Sequence, residues 1–223
     1  MKNYRLARHQ QSGFTLVEIA IVLVIIGLLL GGVLKGQELI NSAKSKAVIS
    51  DFRNTATMIA AYQDRFRALP GDDANAAKHL SGAVNATGTP GDGLIGGVWN
   101  SSTATDESVL LWQHLRLAGL AAGDTTDPAS AASLTDWLPR NTEGGRIGVQ
   151  STVPVAGWPG RLFVCQSNIS GRIAQQVDTT MDDGSSDKGS VRFGISNSDG
   201  TITPVASSSA PAESTLYTIC ASF

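Results

Sequence analysis

The sequence predicts an α+β fold in which one long N-terminal helix packs on a small head containing an antiparallel sheet. Three observations support this prediction. The N-terminal region is continuously apolar, the next region has apolar residues at helical spacing, and the remainder alternates β-type segments with Gly-rich turns. The 223 residues accordingly divide into a leader (1–13), a membrane-spanning half of the helix (14–35), an amphipathic half (36–69) and a head (70–223).

The leader is short and basic. It has three basic residues and no acidic one, which is typical of the start of an export signal and favours a cytoplasmic N-terminus. An ordinary secretory signal is cleaved after its apolar stretch, but here the helical pattern continues beyond that stretch through Lys35. We therefore expect a single membrane pass, with the bulk of the chain outside the cytoplasm.

The next segment, residues 14–34, has one ionisable side chain, that of Glu18, and is otherwise uncharged. A helix of this length measures about 31 Å, the hydrocarbon thickness of a bilayer. A buried core helix is the alternative, but core helices are rarely apolar on every face over such a length. The sequence therefore predicts a membrane-spanning helix.

Residues 12–18, Ser-Gly-Phe-Thr-Leu-Val-Glu, join the leader to this helix. With the basic leader and the apolar run, the junction resembles that of type IV pilins and of type II secretion pseudopilins. The resemblance implies that a prepilin peptidase cleaves between Gly13 and Phe14 and methylates Phe14. It also implies a bacterial inner-membrane protein with its head in the periplasm before assembly, and, as partners, other pilin or pseudopilin subunits and an assembly platform with its ATPase.

Glu18 is the acidic residue that, by this resemblance, guides assembly. A carboxylate costs up to about 2.5–3.5 kcal/mol at the centre of a bilayer, and the Phe14 amine of a neighbouring subunit would neutralise it. The alternative is that Glu18 only stabilises the first helical turn by its interaction with the helix dipole. Both roles can hold together. Four nearby glycines either allow close helix packing or only loosen the helix: Gly27, Gly31, Gly32 and Gly36.

Beyond the span the helical pattern becomes one-sided, and Pro70 and Gly71 are expected to end the helix near residue 68. In the head the sequence predicts a helix over 106–117 and strands over 146–150, 161–166, 191–196 and 215–220, with loops over 82–104 and 121–145. The stripe expected to face the head consists of Ile40, Ala43, Ala47, Phe52, Ala56, Ile59, Tyr62 and Phe66.

Cys165 and Cys220 fall in the second and last predicted strands. In an oxidising periplasm they would form a disulfide, and the resemblance implies the same, because many pilins close their C-terminal region in this way. The alternative is a pair of buried free thiols.

Composition argues against several other functions. The formal net charge of −2 and the lack of a basic, aromatic surface predict no nucleic-acid partner. Residues 91–96 match the dinucleotide-binding pattern G-x-G-x-x-G, but neither a strand nor a helix is predicted beside them, so a glycine-rich loop is expected. His79 and His114 have no recognisable nucleophile in the sequence, so we predict no enzyme.

Four carboxylates cluster around Gly184 and are weak candidates for binding a calcium ion: Asp178, Asp182, Asp183 and Asp187. They lack EF-hand spacing, and turn-forming Asp-Gly explains them without metal. The sequence therefore predicts no cofactor, with calcium at these four residues as the weaker alternative.

The sequence thus favours a structural subunit, minor or specialised, of a type IV pilus or pseudopilus. One alternative is a membrane-tethered periplasmic binding module that keeps residues 1–13 and does not polymerise. A tethered hydrolase is a second alternative, and it requires a polar pocket around His79 or His114.

Overall fold

The computed structural model describes residues 15–223. Contacts divide the chain into two compact units, Met1–Ile40 and Asn41–Phe223. A long N-terminal helix and a small antiparallel sheet confirm the α+β prediction. The cleavage residues Gly13 and Phe14 lie outside the described residues.

The long helix, α1, covers Leu16–Phe66 and confirms the predicted helix, although it ends two residues before the expected position. Its last turn is closed by a hydrogen bond from the Arg67 amide to the Gln63 carbonyl, 2.9 Å long. Arg67 has a φ of 56°, the left-handed conformation that commonly follows a helix C-terminus. The helix therefore stops before Pro70 rather than because of it.

The buried stripe of α1 follows a spacing of three and four residues: Ser45, Val48, Phe52, Thr55, Ile59 and Tyr62, with Ile49 beside them. The predicted stripe was wrong at its beginning, because Ile40 and Ala43 are exposed. Ser45 and Thr55 occupy inward positions although they are polar. Their hydroxyls donate to the Ser42 and Asp51 carbonyls, at 3.0 and 2.8 Å. A hydroxyl satisfied within its own helix is tolerated in the core.

The head sheet has five antiparallel strands in the order β1-β2-β5-β3-β4. The four predicted strands are confirmed, and β4 was missed because it has three residues and ends on a proline. The strands are β1 (Ile147–Gln150), β2 (Phe163–Ser170), β3 (Val191–Ser196), β4 (Ile202–Pro204) and β5 (Leu216–Ser222).

Shorter helices complete the head. The predicted helix is confirmed as α3 (Glu107–Leu117). The helix α5 (Gly171–Met181) was missed because polar residues outnumber its three apolar residues in the core, Ile173, Ala174 and Val177. Part of the predicted 121–145 loop forms a 3₁₀ turn (Pro128–Ser130) and α4. The helices are α2 (Ala76–His79), α3 (Glu107–Leu117), α4 (Leu134–Trp137) and α5 (Gly171–Met181).

Both faces of the sheet are buried. Neighbouring residues of a strand point to opposite sides, and in β2 they belong to two different apolar clusters. Val164 joins the main core with the α1 stripe, whereas Phe163 and Cys165 join a second cluster with Trp99 and Trp158. A side-chain hydrogen bond of 2.9 Å, from Gln166 Nε2 to the Val48 carbonyl, ties β2 to α1. The amphipathic half of α1 is therefore an integral part of the head core.

The second cluster contains the disulfide between Cys165 and Cys220, which face each other in the β2–β5 register. Both cysteines are fully buried. The bond links two central strands and fixes the last strand of the described chain to the sheet.

Replacing both cysteines by alanine is expected to lower the free energy of unfolding by about 4 kcal/mol, because the bond closes a loop of 55 residues. Urea unfolding of the detergent-solubilised protein, followed by tryptophan fluorescence, measures this. Wild-type protein treated with a reductant should shift in the same direction, and an unchanged midpoint would contradict the stabilising role.

Candidate functional site

The N-terminal part of α1 has an exposed apolar surface. The large aliphatic side chains of residues 16–34 are between 46% and 91% exposed. An 18-residue window of the helix has a mean hydropathy of 2.8, and residues 15–223 bury none of it. A surface of this kind requires lipid or other apolar helices as its surroundings.

Glu18 and Thr15 form a reciprocal cap at the start of α1. Glu18 Oε2 accepts from the Thr15 amide and hydroxyl, at 2.8 and 2.7 Å, and the Glu18 amide donates to Thr15 Oγ1 at 3.3 Å. This is a capping box, Thr-x-x-Glu, whose pattern is visible in the sequence at residues 15–18 but was not predicted above. Both side-chain bonds end on Oε2, so the other carboxylate oxygen receives no hydrogen bond from residues 15–223.

Four glycines lie along the same segment, at positions 27, 31, 32 and 36. A Cβ added at any of them would meet nothing within 4 Å. Packing within the described chain therefore gives no reason for glycine at these places. Closely approaching helices from other molecules would give one.

Residues 8–34 match the model of one protein family, the prokaryotic N-terminal methylation motif. The chain carries the type IV pilin and pseudopilin signature. Its apolar helix and the motif fit a membrane-anchored protein, and the match stops before the head begins. No curated protein and no solved structure matches the chain.

The head of this pilin-like protein contains a cavity of about 990 Å³ beside the C-terminal end of α1. Its lining includes His79, whose Nδ1 lies 2.6 Å from Asp73 Oδ2, and Asp73 also accepts from the Tyr62 hydroxyl at 2.9 Å. Burial opposes ionisation of Asp73, but hydrogen bonds from His79, the Asn75 amide and Tyr62 outweigh it and lower the pKa of Asp73. The arrangement is an ordered carboxylate–imidazole pair open to the cavity.

This cavity is the pocket that the hydrolase hypothesis requires, but it lacks a visible nucleophile–base pair. In the part of the chain described, no serine, threonine or cysteine side chain hydrogen-bonds to His79 or His114. His114 is fully buried: Nδ1 accepts from the Gly71 amide at 2.9 Å and Nε2 donates to the Val84 carbonyl at 2.7 Å. His114 is therefore a structural, neutral imidazole.

The glycine-rich segment 91–96 is a loop, as predicted. The Asp72 carboxylate accepts from the Gly91 and Gly93 amides, and Glu107 Oε2 accepts from the Gly96 amide at 2.7 Å. A phosphate-binding loop uses such amides to hold its ligand. Here the chain's own carboxylates occupy them.

The acidic residues near Gly184 are only partly brought together. Three carboxylate oxygens lie within 4.8 Å of one another, one each from Asp178, Asp182 and Asp183. Asp187 is not in this group, and its carboxylate accepts from the Ser185 and Ser207 hydroxyls, at 3.2 and 3.4 Å. Burial raises the pKa of Asp178 to about 7, and the charges of Asp182 and Asp183 act in the same direction.

Replacing His114 by glutamine is expected to lower the free energy of unfolding by about 1–3 kcal/mol at pH 8, because two buried backbone groups lose their partners. Burial lowers the pKa of His114 from 6.5 in spite of its bond to Val84. The unfolded chain then binds the proton more readily, so the wild type's advantage is present above pH 6.5 and is lost as the pH falls further.

Urea titrations of both proteins between pH 8 and pH 5 measure this difference. Asp178 has the opposite pH dependence, but it is present in both proteins, so its effect cancels in the comparison. A difference that stayed constant over this range would show that His114 is not held neutral by the fold.

Proposed function

We propose that this chain is a structural subunit, minor or specialised, of a type IV pilus or a secretion pseudopilus. The observation that carries the proposal is the exposed apolar surface of residues 16–34, joined to the methylation motif. Lipid covers such a surface before assembly, and neighbouring helices cover it afterwards. The four glycines have no neighbouring atoms of the described chain beside them, and such exposed glycines allow close contacts with other helices. The large head with its long loops favours a specialised subunit.

Maturation and topology follow from the same segment. A prepilin peptidase cleaves between Gly13 and Phe14 and methylates Phe14, and the basic leader keeps the N-terminus cytoplasmic. The head then lies in the periplasm, where its disulfide is stable. The partners are other subunits and an inner-membrane platform with a separate ATPase.

In this proposal Glu18 has two roles. Its Oε2 caps the helix, and Oε1 remains for the methylated Phe14 amine of a neighbouring subunit. The pairing neutralises a charge that is costly beside lipid, and it fixes the axial register of the two helices.

Mass spectrometry of the N-terminal peptide tests the processing step, in cells with and without the prepilin peptidase. We expect a peptide that begins at methylated Phe14 only where the peptidase is present. An intact leader in both strains would remove the pilin assignment and leave a signal-anchored protein.

Two substitutions separate the roles of Glu18. Glu18→Gln keeps a capping side chain but removes the charge, whereas Thr15→Val removes the capping hydroxyl and keeps the charge. We expect Glu18→Gln to abolish incorporation into filaments and Thr15→Val to retain most of it, measured by immunoblot of sheared filaments against the membrane fraction.

Both variants must first be shown to be cleaved and inserted normally. If Thr15→Val impaired assembly as strongly as Glu18→Gln, the role of Glu18 would be capping alone. If neither variant affected assembly, the charge pairing would be wrong.

The cavity beside His79 favours one other function, that of a tethered binding module. Its wall offers a carboxylate–imidazole pair together with the aromatic ring of Phe66, which stacks on His79 at a centroid distance of 5.3 Å. Such a module would remain monomeric after detergent extraction and would tolerate Glu18→Gln without loss of its activity.

A further inference from the structure

Three carboxylates meet at the C-terminal end of α5. Asp178 lies in the last turn, Asp182 caps the helix and Asp183 follows it. The carbonyl groups of a helix C-terminus already give that end a partial negative charge, which makes acidic side chains unfavourable and a cation favourable there. Among residues 15–223, none of the three carboxylates has an ion-pair partner.

Asp178 distinguishes this group from an ordinary acidic turn. Its side chain is fully buried, and neither carboxylate oxygen has a hydrogen-bond donor in the described chain. Buried polar groups are nearly always hydrogen-bonded, and a buried carboxylate with no partner is strongly unfavourable. One of its oxygens instead belongs to the group shared with Asp182 and Asp183.

The geometry of the group is compatible with calcium. Calcium binds oxygen ligands at about 2.3–2.6 Å, so two ligands of the same ion lie at most about 5 Å apart. The three oxygens satisfy this limit, since all lie within 4.8 Å of one another. Histidine and cysteine, which favour transition metals, are not part of the group, and magnesium demands a stricter octahedral arrangement.

We propose that Asp178, Asp182 and Asp183 bind one calcium ion at the C-terminal end of α5. Asp183 is exposed, so water completes the coordination on that side. Asp182 Oδ2 also accepts from the amide of Val191, the first residue of β3, at 3.0 Å. The ion therefore fastens the end of α5 to the beginning of β3 and holds the loop between them.

The test uses the full-length protein in detergent, freed of metal with EGTA. Isothermal titration with calcium chloride should show one ion per chain, and magnesium chloride should bind at least tenfold more weakly. At calcium concentrations about a hundred times the dissociation constant, the thermal midpoint should rise by about 5–10 °C.

Matched variants locate the ion. Asp183→Asn changes an exposed position and does not disturb packing, and it should weaken calcium binding at least tenfold. Asp187→Asn removes one negative charge from the same loop and should leave calcium binding unchanged. Asp178→Asn should lose calcium binding, yet in EGTA its midpoint should equal or exceed that of the wild type, because it removes an uncompensated buried charge.

Two results would overturn the proposal. The first is a wild type that binds no calcium at millimolar concentration, which would mean that Asp178 is neutralised by a proton instead. The second is an equal loss in Asp183→Asn and Asp187→Asn, which would indicate diffuse attraction by the loop's charge rather than a site. These readouts are independent of whether the protein assembles into filaments.

Discussion

The apolar surface of residues 16–34 is the constraint on which the rest of the protein depends. The described part of the chain buries none of this segment, so exposing it to water is unfavourable and lipid or other apolar helices are the surroundings that stabilise it. The head must therefore be stable through its own contacts, which belong to residues Asn41–Phe223. A sheet buried on both faces and a disulfide between two central strands meet that demand.

The head fixes the amphipathic half of α1 by polar contacts as well as by apolar packing. An apolar stripe alone tolerates displacement by one helical turn, because residues four apart present similar surfaces. The hydrogen bond from the Tyr62 hydroxyl to Asp73 exists at one register only, and the bond from Gln166 to the Val48 carbonyl holds the helix against β2. Since an unpaired buried polar group is costly, the Tyr62–Asp73 contact selects that register.

The sequence predicted the elements in which a periodic apolar pattern extends over several turns, namely α1 and α3. It also predicted four of the strands, which are rich in β-branched and aromatic residues. It missed α5, since a short helix with only three buried apolar side chains resembles a polar loop. The buried hydroxyls of Ser45 and Thr55 could not be predicted from polarity, because their own helix satisfies them. The site at Glu18 was predicted from a local motif, whereas the pairing of His79 with Asp73 and the isolation of Asp178 depend on tertiary structure.

The capping box explains the conformation at Glu18 but not its charge. A neutral glutamine caps a helix in the same way, and the gain of an acid over it near a helix N-terminus is about 0.3–1 kcal/mol. Toward the centre of a bilayer the charge costs up to about 2.5–3.5 kcal/mol. As the helix moves deeper into apolar surroundings, the dipole interaction no longer offsets that cost. In the proposed assembly, a counter-charge from outside residues 15–223 would remove this imbalance, and the amine of a neighbouring subunit would supply it together with a fixed axial position.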